Sequence, residues 1–190
     1  METAILVTTR KQFEYYKLIG EKTMAQLTEE QLFWQYNKES NSIAMVVQHL
    51  VGNMRSRWTD FMTTDGEKEW RNRDAEFEQV FASKEALLLQ WEQGWQCLFT
   101  ALDSITAAEL DKEIFIRNQG LTVADAIFRQ LAHYPYHLGQ IVFIGKMICN
   151  SNWVSLSIPK GNSTAYNAEK FEQPKHTRHF MDECFKKKEG

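Results

Sequence analysis

The sequence has few cysteines and no long apolar run. Its cysteines, Cys97, Cys149 and Cys184, are three in number and show no CxxC spacing. An odd, scattered set argues against a disulfide framework and favours a reducing compartment. The one apolar stretch near the N-terminus, Ala4–Val7, is too short for a signal peptide, and no run approaches the roughly 20 residues of a membrane span. We therefore expect a cytoplasmic protein that has no membrane as partner.

An excess of charge of either sign is also missing. The 190 residues include 22 basic and 25 acidic side chains, which gives a net charge of −3. This balance offers no electrostatic reason to expect nucleic acid as a partner. Proline and glycine are scarce too, at three and nine residues, which suits a helical protein. The length suffices for one domain with a real core.

Apolar residues recur at three- and four-residue steps in four segments, as is typical of amphipathic helices. The predicted long helices span residues 9–27, 43–61, 84–102 and 123–148. Ser42, Ser83 and Thr122 are suited to cap the last three, and Thr28 and Gln31 have the capping-box spacing of a further short helix. The third long helix carries one apolar stripe, made of Leu88, Trp91, Trp95, Leu98, Phe99 and Leu102.

Two long connections limit how these helices can be arranged. They span residues 67–82 and 103–120, and residues 114–116 of the second favour a brief extended segment. Simple antiparallel neighbours are joined by short loops, whereas connections of this length permit crossovers. We predict an all-α protein: a four-helix bundle with long crossover connections over residues 1–150. Residues 151–190 are expected to form a C-terminal extension that packs partly on the bundle and frays at its basic end.

Three histidines point to a metal site. His133 and His137 lie four residues apart in QLAHYPYHLGQIV, and His49 lies in the earlier helical stretch VVQHLVGN. Side chains at i and i+4 share one face of a helix, so two imidazoles spaced in this way can bind one ion. A third imidazole from a facing helix would complete a three-nitrogen site with one open position, as in catalytic rather than structural metal sites.

Neighbouring residues fit this interpretation. Asn53 lies one turn from His49 and Gln140 three residues from His137, so both are candidates to orient a ligand or a bound water. Pro135 lies between the paired histidines and removes one backbone hydrogen bond of the helix, so we expect the helix to bend there. The alternative is a set of core or surface histidines that bind no metal.

Other candidate residues have simpler explanations. His176 and His179 lie in a polar stretch and are expected to be solvated rather than to bind metal. Cys97 lies in an apolar cluster and is expected to be a buried small hydrophobe. Arg55 and Arg57 are expected on a solvated helix face, with an anionic substrate as the alternative.

The histidine motif also limits the chemistry. It reads His-Tyr-Pro-Tyr-His, so the glutamate base of the His-Glu-x-x-His proteases is missing. A hydrolase would need its base from elsewhere, and the sequence nominates none.

At these positions the chain resembles the DinB-like, or YfiT-like, superfamily of bacterial helix bundles. The family pattern has a histidine in the second long helix and a pair four apart in the last helix, followed by Gly-Gln. His49, His133, His137 and Gly139-Gln140 match it here, and Glu29–Ser42 is similar to the family's entry into the second helix.

This resemblance, over roughly residues 10–150, implies an unusual helix order, a homodimer and a divalent metal such as zinc or nickel. Relatives include transferases and isomerases that use low-molecular-weight thiols such as mycothiol or bacillithiol. The expected function is therefore metal-dependent transfer of such a thiol to a small-molecule substrate. Two alternatives stay open: a non-catalytic dimeric binding or stress protein with a weak metal site, and a metal-dependent hydrolase.

Overall fold

A computed structural model describes residues 4–78 and 81–182 of the chain. The elements in these residues are α1 (Ala4–Met24), α2 (Glu29–Phe33), α3 (Ile43–Trp58), α4 (Ala75–Glu78), α5 (Lys84–Ser104), β1 (Glu113–Ile116), β2 (Gln119–Thr122), α6 (Val123–Cys149) and α7 (Ser163–Phe171). The predicted all-α architecture is confirmed, with one small β-hairpin added to it.

The predicted helix starts have the expected caps. The side chains of Ser42, Ser83 and Thr122 each accept a hydrogen bond from the backbone N–H three residues on, at the start of α3, α5 and α6. Thr28 and Gln31 form the reciprocal capping box of α2. These bonds satisfy backbone donors that a helix start otherwise leaves without a partner.

The four long helices do not follow one another around the bundle. Helix α3 packs against α5 and α6, and α1 packs against the same two helices. Two of the three consecutive pairs of long helices therefore occupy opposite corners, α1 across from α3 and α5 across from α6, whereas α3 and α5 are neighbours. The chain must cross the bundle between α1 and α3 and again between α5 and α6. Of the two long connections from which a crossover was predicted, only the one between α5 and α6 makes it.

The two long connections have different roles. Residues 105–122, between α5 and α6, make the second crossing and contain the extended segment predicted at 114–116 as β1. It pairs antiparallel with β2 through a tight turn at Arg117 and Asn118, both of which have positive φ. The connection from α3 to α5 joins helices that are already neighbours. Its length serves instead to carry α4 along the side of α3.

Some helix details differ from the predictions. Helix α1 begins five residues earlier than expected, at Ala4, and α3 ends at Trp58, two residues before Asp60 takes a positive φ of 47°. Leu88 is 36% exposed and lies outside the core, whereas Leu87 is fully buried in its place. The helical period alone did not distinguish these adjacent leucines.

The core is built around aromatic side chains. Phe13, Trp91, Trp95 and Tyr134 are all at most 1% exposed. The Tyr134 ring centroid lies 5.7 Å from that of Phe13 and 6.0 Å from that of Trp95. Its hydroxyl accepts from Trp58 Nε1 at 3.0 Å and donates to Asn53 Oδ1 at 3.1 Å. Tyr134 therefore fixes α6 against α3, one residue after His133.

The C-terminal extension touches the bundle at a few points. None of the residues of α7 is buried, whereas Met181 is fully buried and Asp182 pairs with Lys11 at 2.6 Å. Cys184 and the basic tail Lys186–Lys188 lie outside the described residues. In the part of the chain that is described, no helix combines the length and apolarity needed to cross a membrane.

Two glycines provide a matched test of the packing. A Cβ on Gly20 in α1 would lie 2.6 Å from Trp91 Cζ2, whereas a Cβ on Gly139 in α6 would meet nothing within 4 Å. Gly20→Ala should lower the free energy of unfolding by about 1–3 kcal/mol because of overpacking. Gly139→Ala should raise it by up to about 1 kcal/mol through helix propensity. Urea unfolding of both variants measures the difference, and equal midpoints would contradict this account of the core.

Candidate metal centre

The three predicted histidines converge where α3 faces α6. His49 Nε2 lies 3.4 Å from His133 Nε2, which in turn lies 3.1 Å from His137 Nε2. One nitrogen from each ring falls within 4.8 Å of the others. His49 is buried, and the two histidines of α6 are half-buried. The pair four residues apart thus shares one helix face, and the facing helix supplies the third imidazole.

Each imidazole is oriented by an oxygen at its other nitrogen. Nδ1 of His49 lies 2.9 Å from Glu76 Oε2, Nδ1 of His133 lies 3.1 Å from Gln130 Oε1, and Nδ1 of His137 lies 3.0 Å from Gln140 Oε1. A carboxylate or amide oxygen can only accept, so the proton of each neutral ring belongs on Nδ1. Each Nε2 therefore presents a lone pair to the centre of the cluster.

Three converging lone pairs could hold a cation between them. Nitrogens that are both acceptors cannot hydrogen-bond to one another across 3.1–3.4 Å. About 2.0–2.1 Å from each nitrogen to a tetrahedral zinc gives nitrogen–nitrogen distances of about 3.3 Å. Two of the three nitrogen–nitrogen distances are close to this value and all three are within 4.8 Å, so the three imidazoles could hold one divalent ion, with a fourth position left for another ligand.

Burial keeps the two α6 histidines in the form that binds metals. It lowers the pKa of His133 to about 4, and the nearby rings of His137 and His49 add to this effect. Burial also lowers the pKa of His137, against the hydrogen bond with Gln140. Both rings are consequently neutral near pH 7, and neutral imidazole is the ligand form.

Besides Gln130, Glu76 contacts the histidine cluster without having been nominated from the sequence. It lies in the four-residue helix α4, inside a charged connection that has no clear apolar period. Burial by itself would raise its pKa, but hydrogen bonds from His49 and Arg71 outweigh burial and hold the pKa below its usual value. A buried carboxylate at Nδ1 of a metal-binding histidine fixes the ring and increases its basicity.

Helix α3 is shaped to receive Glu76. Gly52, three residues after His49, faces the Glu76 carboxylate so closely that a Cβ at this position would overlap it. Gln48 donates to the carbonyl of Ala75 at 3.0 Å and so holds α4 in place. The glycine of VVQHLVGN, three residues after a histidine in an apolar helix, was the one sequence signal that another group approaches here.

The other residues predicted near the site have defined partners. Gln140 contacts His137, as described above, and Asn53 Oδ1 accepts from Tyr134, so a role of Asn53 toward a ligand stays a prediction. Helix α6 runs without a break from Val123 to Cys149 with Pro135 inside it, and the bend at Pro135 stays a prediction. That the three histidines bind metal also stays a prediction.

The other candidate residues named from the sequence lie away from the histidine cluster. Exposed His176 contacts the carbonyl of Pro174, and His179 accepts from its own segment, so neither joins the site. Cys97 is half-buried at the edge of the core, 3.6 Å from the hydroxyl of Thr59, rather than enclosed as predicted.

The prediction for one of the two arginines is wrong. Arg55 is exposed as expected and donates to Gln90. Arg57 is only 8% exposed, because it turns inward to donate to the carbonyl of Gly66 and to Glu67.

Fold and cluster together define a class: a helix bundle with crossover connections and a candidate three-histidine metal centre. The chain belongs to the family DUF1572, described as proteins of unknown function, whose pattern matches residues 1–162. It is similar to the crystal structure of a conserved protein from Enterococcus faecalis, with 16% identity and a TM-score of 0.60 over 78% of this chain and 98% of that one. Similarity at this identity shows the fold alone. No curated protein matches the chain.

The lowered pKa of His133 predicts how acid destabilises the metal-free protein. The unfolded chain binds a proton at this residue near pH 6.5, whereas the folded protein does so only near pH 4. The free energy of unfolding should therefore be highest, as far as His133 is concerned, above about pH 6.5. It should fall as the pH drops toward 4, because the unfolded state then binds more protons than the folded state. Urea midpoints measured across this range should decline less steeply in His133→Gln. The matched control is His176→Gln, and equal slopes in the two variants would contradict the prediction.

Proposed function

We propose that this chain binds a divalent ion through His49, His133 and His137 and uses it to activate a low-molecular-weight thiol for transfer to a small electrophile. The observation that carries the metal-binding part is the convergence of three Nε2 lone pairs, each fixed by a hydrogen bond at Nδ1. The resemblance of these histidines to the DinB-like pattern supports the same site. It is also the basis for zinc or nickel as the ion and for a homodimer as the assembly.

The choice of a thiol rests on the hydrogen bonds around the cluster. A bound divalent ion supplies Lewis acidity, which lowers the pKa of a coordinated thiol or water. Among the described residues, Glu76 is the carboxylate bonded to the cluster, and both of its oxygens are taken by His49 and Arg71. Glu76 therefore serves to position the His49 ring rather than to accept a proton from water. A thiol needs less help from a base, since its pKa begins far below that of water.

The proposed transfer balances as a simple substitution. The thiol gives up its proton, its sulfur forms a bond to an electrophilic carbon, and the leaving group departs with the electron pair of the broken bond. The released proton neutralises the leaving group. The three histidines leave one side of the site for the sulfur, while their Nδ1 partners hold the rings during the reaction.

Removal of one ligand tests the metal site. His133→Ala should reduce bound metal sharply while the bundle stays folded, because the core does not depend on this half-buried side chain. Leaving Gln130 without its partner should cost about 1–3 kcal/mol at most. Metal content and a thermal melt of untagged protein measure both effects, with exposed His176→Ala as the matched control.

Two outcomes would contradict this assignment. Equal metal content in His133→Ala and the parent would remove these histidines as ligands. Complete unfolding of the variant, or of the metal-stripped parent, would make the ion structural instead of functional.

Direct contact between thiol and ion tests the chemistry. Cobalt-substituted protein should gain an intense sulfur-to-metal charge-transfer band when a low-molecular-weight thiol is added, because the sulfur enters the open position. The cobalt cluster should lack this band before addition, since its three ligands are nitrogens. The rate of thiol transfer to a generic electrophile should rise with metal, with metal-free protein as control. Absence of the band at saturating thiol, together with equal rates, would favour a non-catalytic binding protein.

A further inference from the structure

Arg71 forms the second layer around the candidate metal centre. Its side chain is only 2% exposed, although it lies in a connection between helices. Arg71 Nε lies 2.8 Å from Glu76 Oε1, and Arg71 Nη2 lies 3.1 Å from Glu76 Oε2. Both carboxylate oxygens are thus held by one planar guanidinium, the bidentate geometry that fixes a carboxylate most firmly.

The bidentate contact between Arg71 and Glu76 acts on His49 through a shared oxygen atom. Glu76 Oε2 accepts from Arg71 and, at 2.9 Å, from His49 Nδ1. The plane of the guanidinium therefore sets the plane of the carboxylate, and the carboxylate sets the rotation of the imidazole. Nε2 of His49 points to the other two histidines only at this rotation.

A second carboxylate anchors Arg71 in turn. Glu67 Oε2 lies 3.6 Å from Arg71 Nη1 and 3.0 Å from guanidinium nitrogens of both Arg57 and Arg117. The Glu67 side chain is 22% exposed and the Arg57 side chain 7%. Arg71 consequently lies between two acidic groups in a largely dry region, where losing one member leaves an unpaired charge.

We propose that Arg71 is a positioning residue for the metal centre: it orients Glu76 so that His49 presents Nε2 to the ion. This inference rests on the proposed metal binding and adds to it the residue that sets its affinity. Loss of a partner behind a metal-binding histidine typically lowers metal affinity about 10–100-fold. The same range is expected for Arg71→Gln, with the ligands themselves unchanged.

A double-mutant cycle separates positioning from general support of the fold. Zinc affinity would be measured by chelator competition in the full-length protein, for the parent, Arg71→Gln, Glu76→Gln and the double variant. If Arg71 acts through Glu76, each single change should weaken zinc binding about 10–100-fold. The double variant should then match Glu76→Gln within about twofold, because coupled residues are not additive. The matched control is Arg55→Gln, an exposed arginine of α3 bonded to Gln90, which should bind zinc like the parent.

Two further measurements keep the test decisive. Far-ultraviolet circular dichroism of metal-free protein checks that each variant is folded. If Arg71→Gln does not fold, Arg71→Lys takes its place in the cycle, because lysine keeps the positive charge but cannot form the bidentate contact with Glu76. The cobalt spectrum should change in the Arg71 variant as His49 turns.

The outcomes distinguish this inference from the function on which it rests. If the parent binds no zinc, the proposed function fails. If the parent binds zinc but the Arg71 variant binds equally well, or if its loss persists undiminished in the Glu76→Gln background, the positioning role of Arg71 alone is overturned.

Discussion

The contact of Tyr134 with α3 is the constraint on which both the core and the candidate metal centre depend. The ring belongs to the aromatic core, and the hydroxyl is held between Trp58 and Asn53 of α3. Because His133 precedes Tyr134 on the same helix, this contact also sets how far α6 is rotated toward His49. A slide or rotation of α6 would leave a buried hydroxyl without partners, at a cost of about 1–3 kcal/mol, and would separate the imidazoles. Packing therefore aligns the histidines before any ion contributes.

The sequence predicted those features that depend on neighbours along the chain. Capping residues, apolar periods and the spacing of His133 and His137 all act within one or two helical turns, and the structure has the helices where these signals lie. The third histidine required the further assumption that two apolar helices face one another, which the bundle satisfies. The distinction between Leu87 and Leu88 failed, because a shift of one residue barely changes a helical pattern.

The buried charged residues that the sequence did not predict lie in or contact the connection between α3 and α5. Glu76, Arg71 and Arg57 lie in or contact this charged segment, and charged residues without a period are expected in solvent. Here they are buried because they pair with one another and with His49. Such pairing depends on the path of the chain in three dimensions, since α3 and α5 are adjacent and the residues between them are free to lie along α3. Local patterns carry no information about that path.

The separation of the histidines along the chain has a consequence for assembly. His49 and His133 are 84 residues apart, so an ion between them would tie the second long helix to the last. In the unfolded chain these ligands are far apart, and closing so large a loop has an entropic cost. An ion that binds only the docked helices would favour the native state by mass action and would slow their separation. Uptake of metal would then report that α6 has docked against α3 and that the bundle is complete.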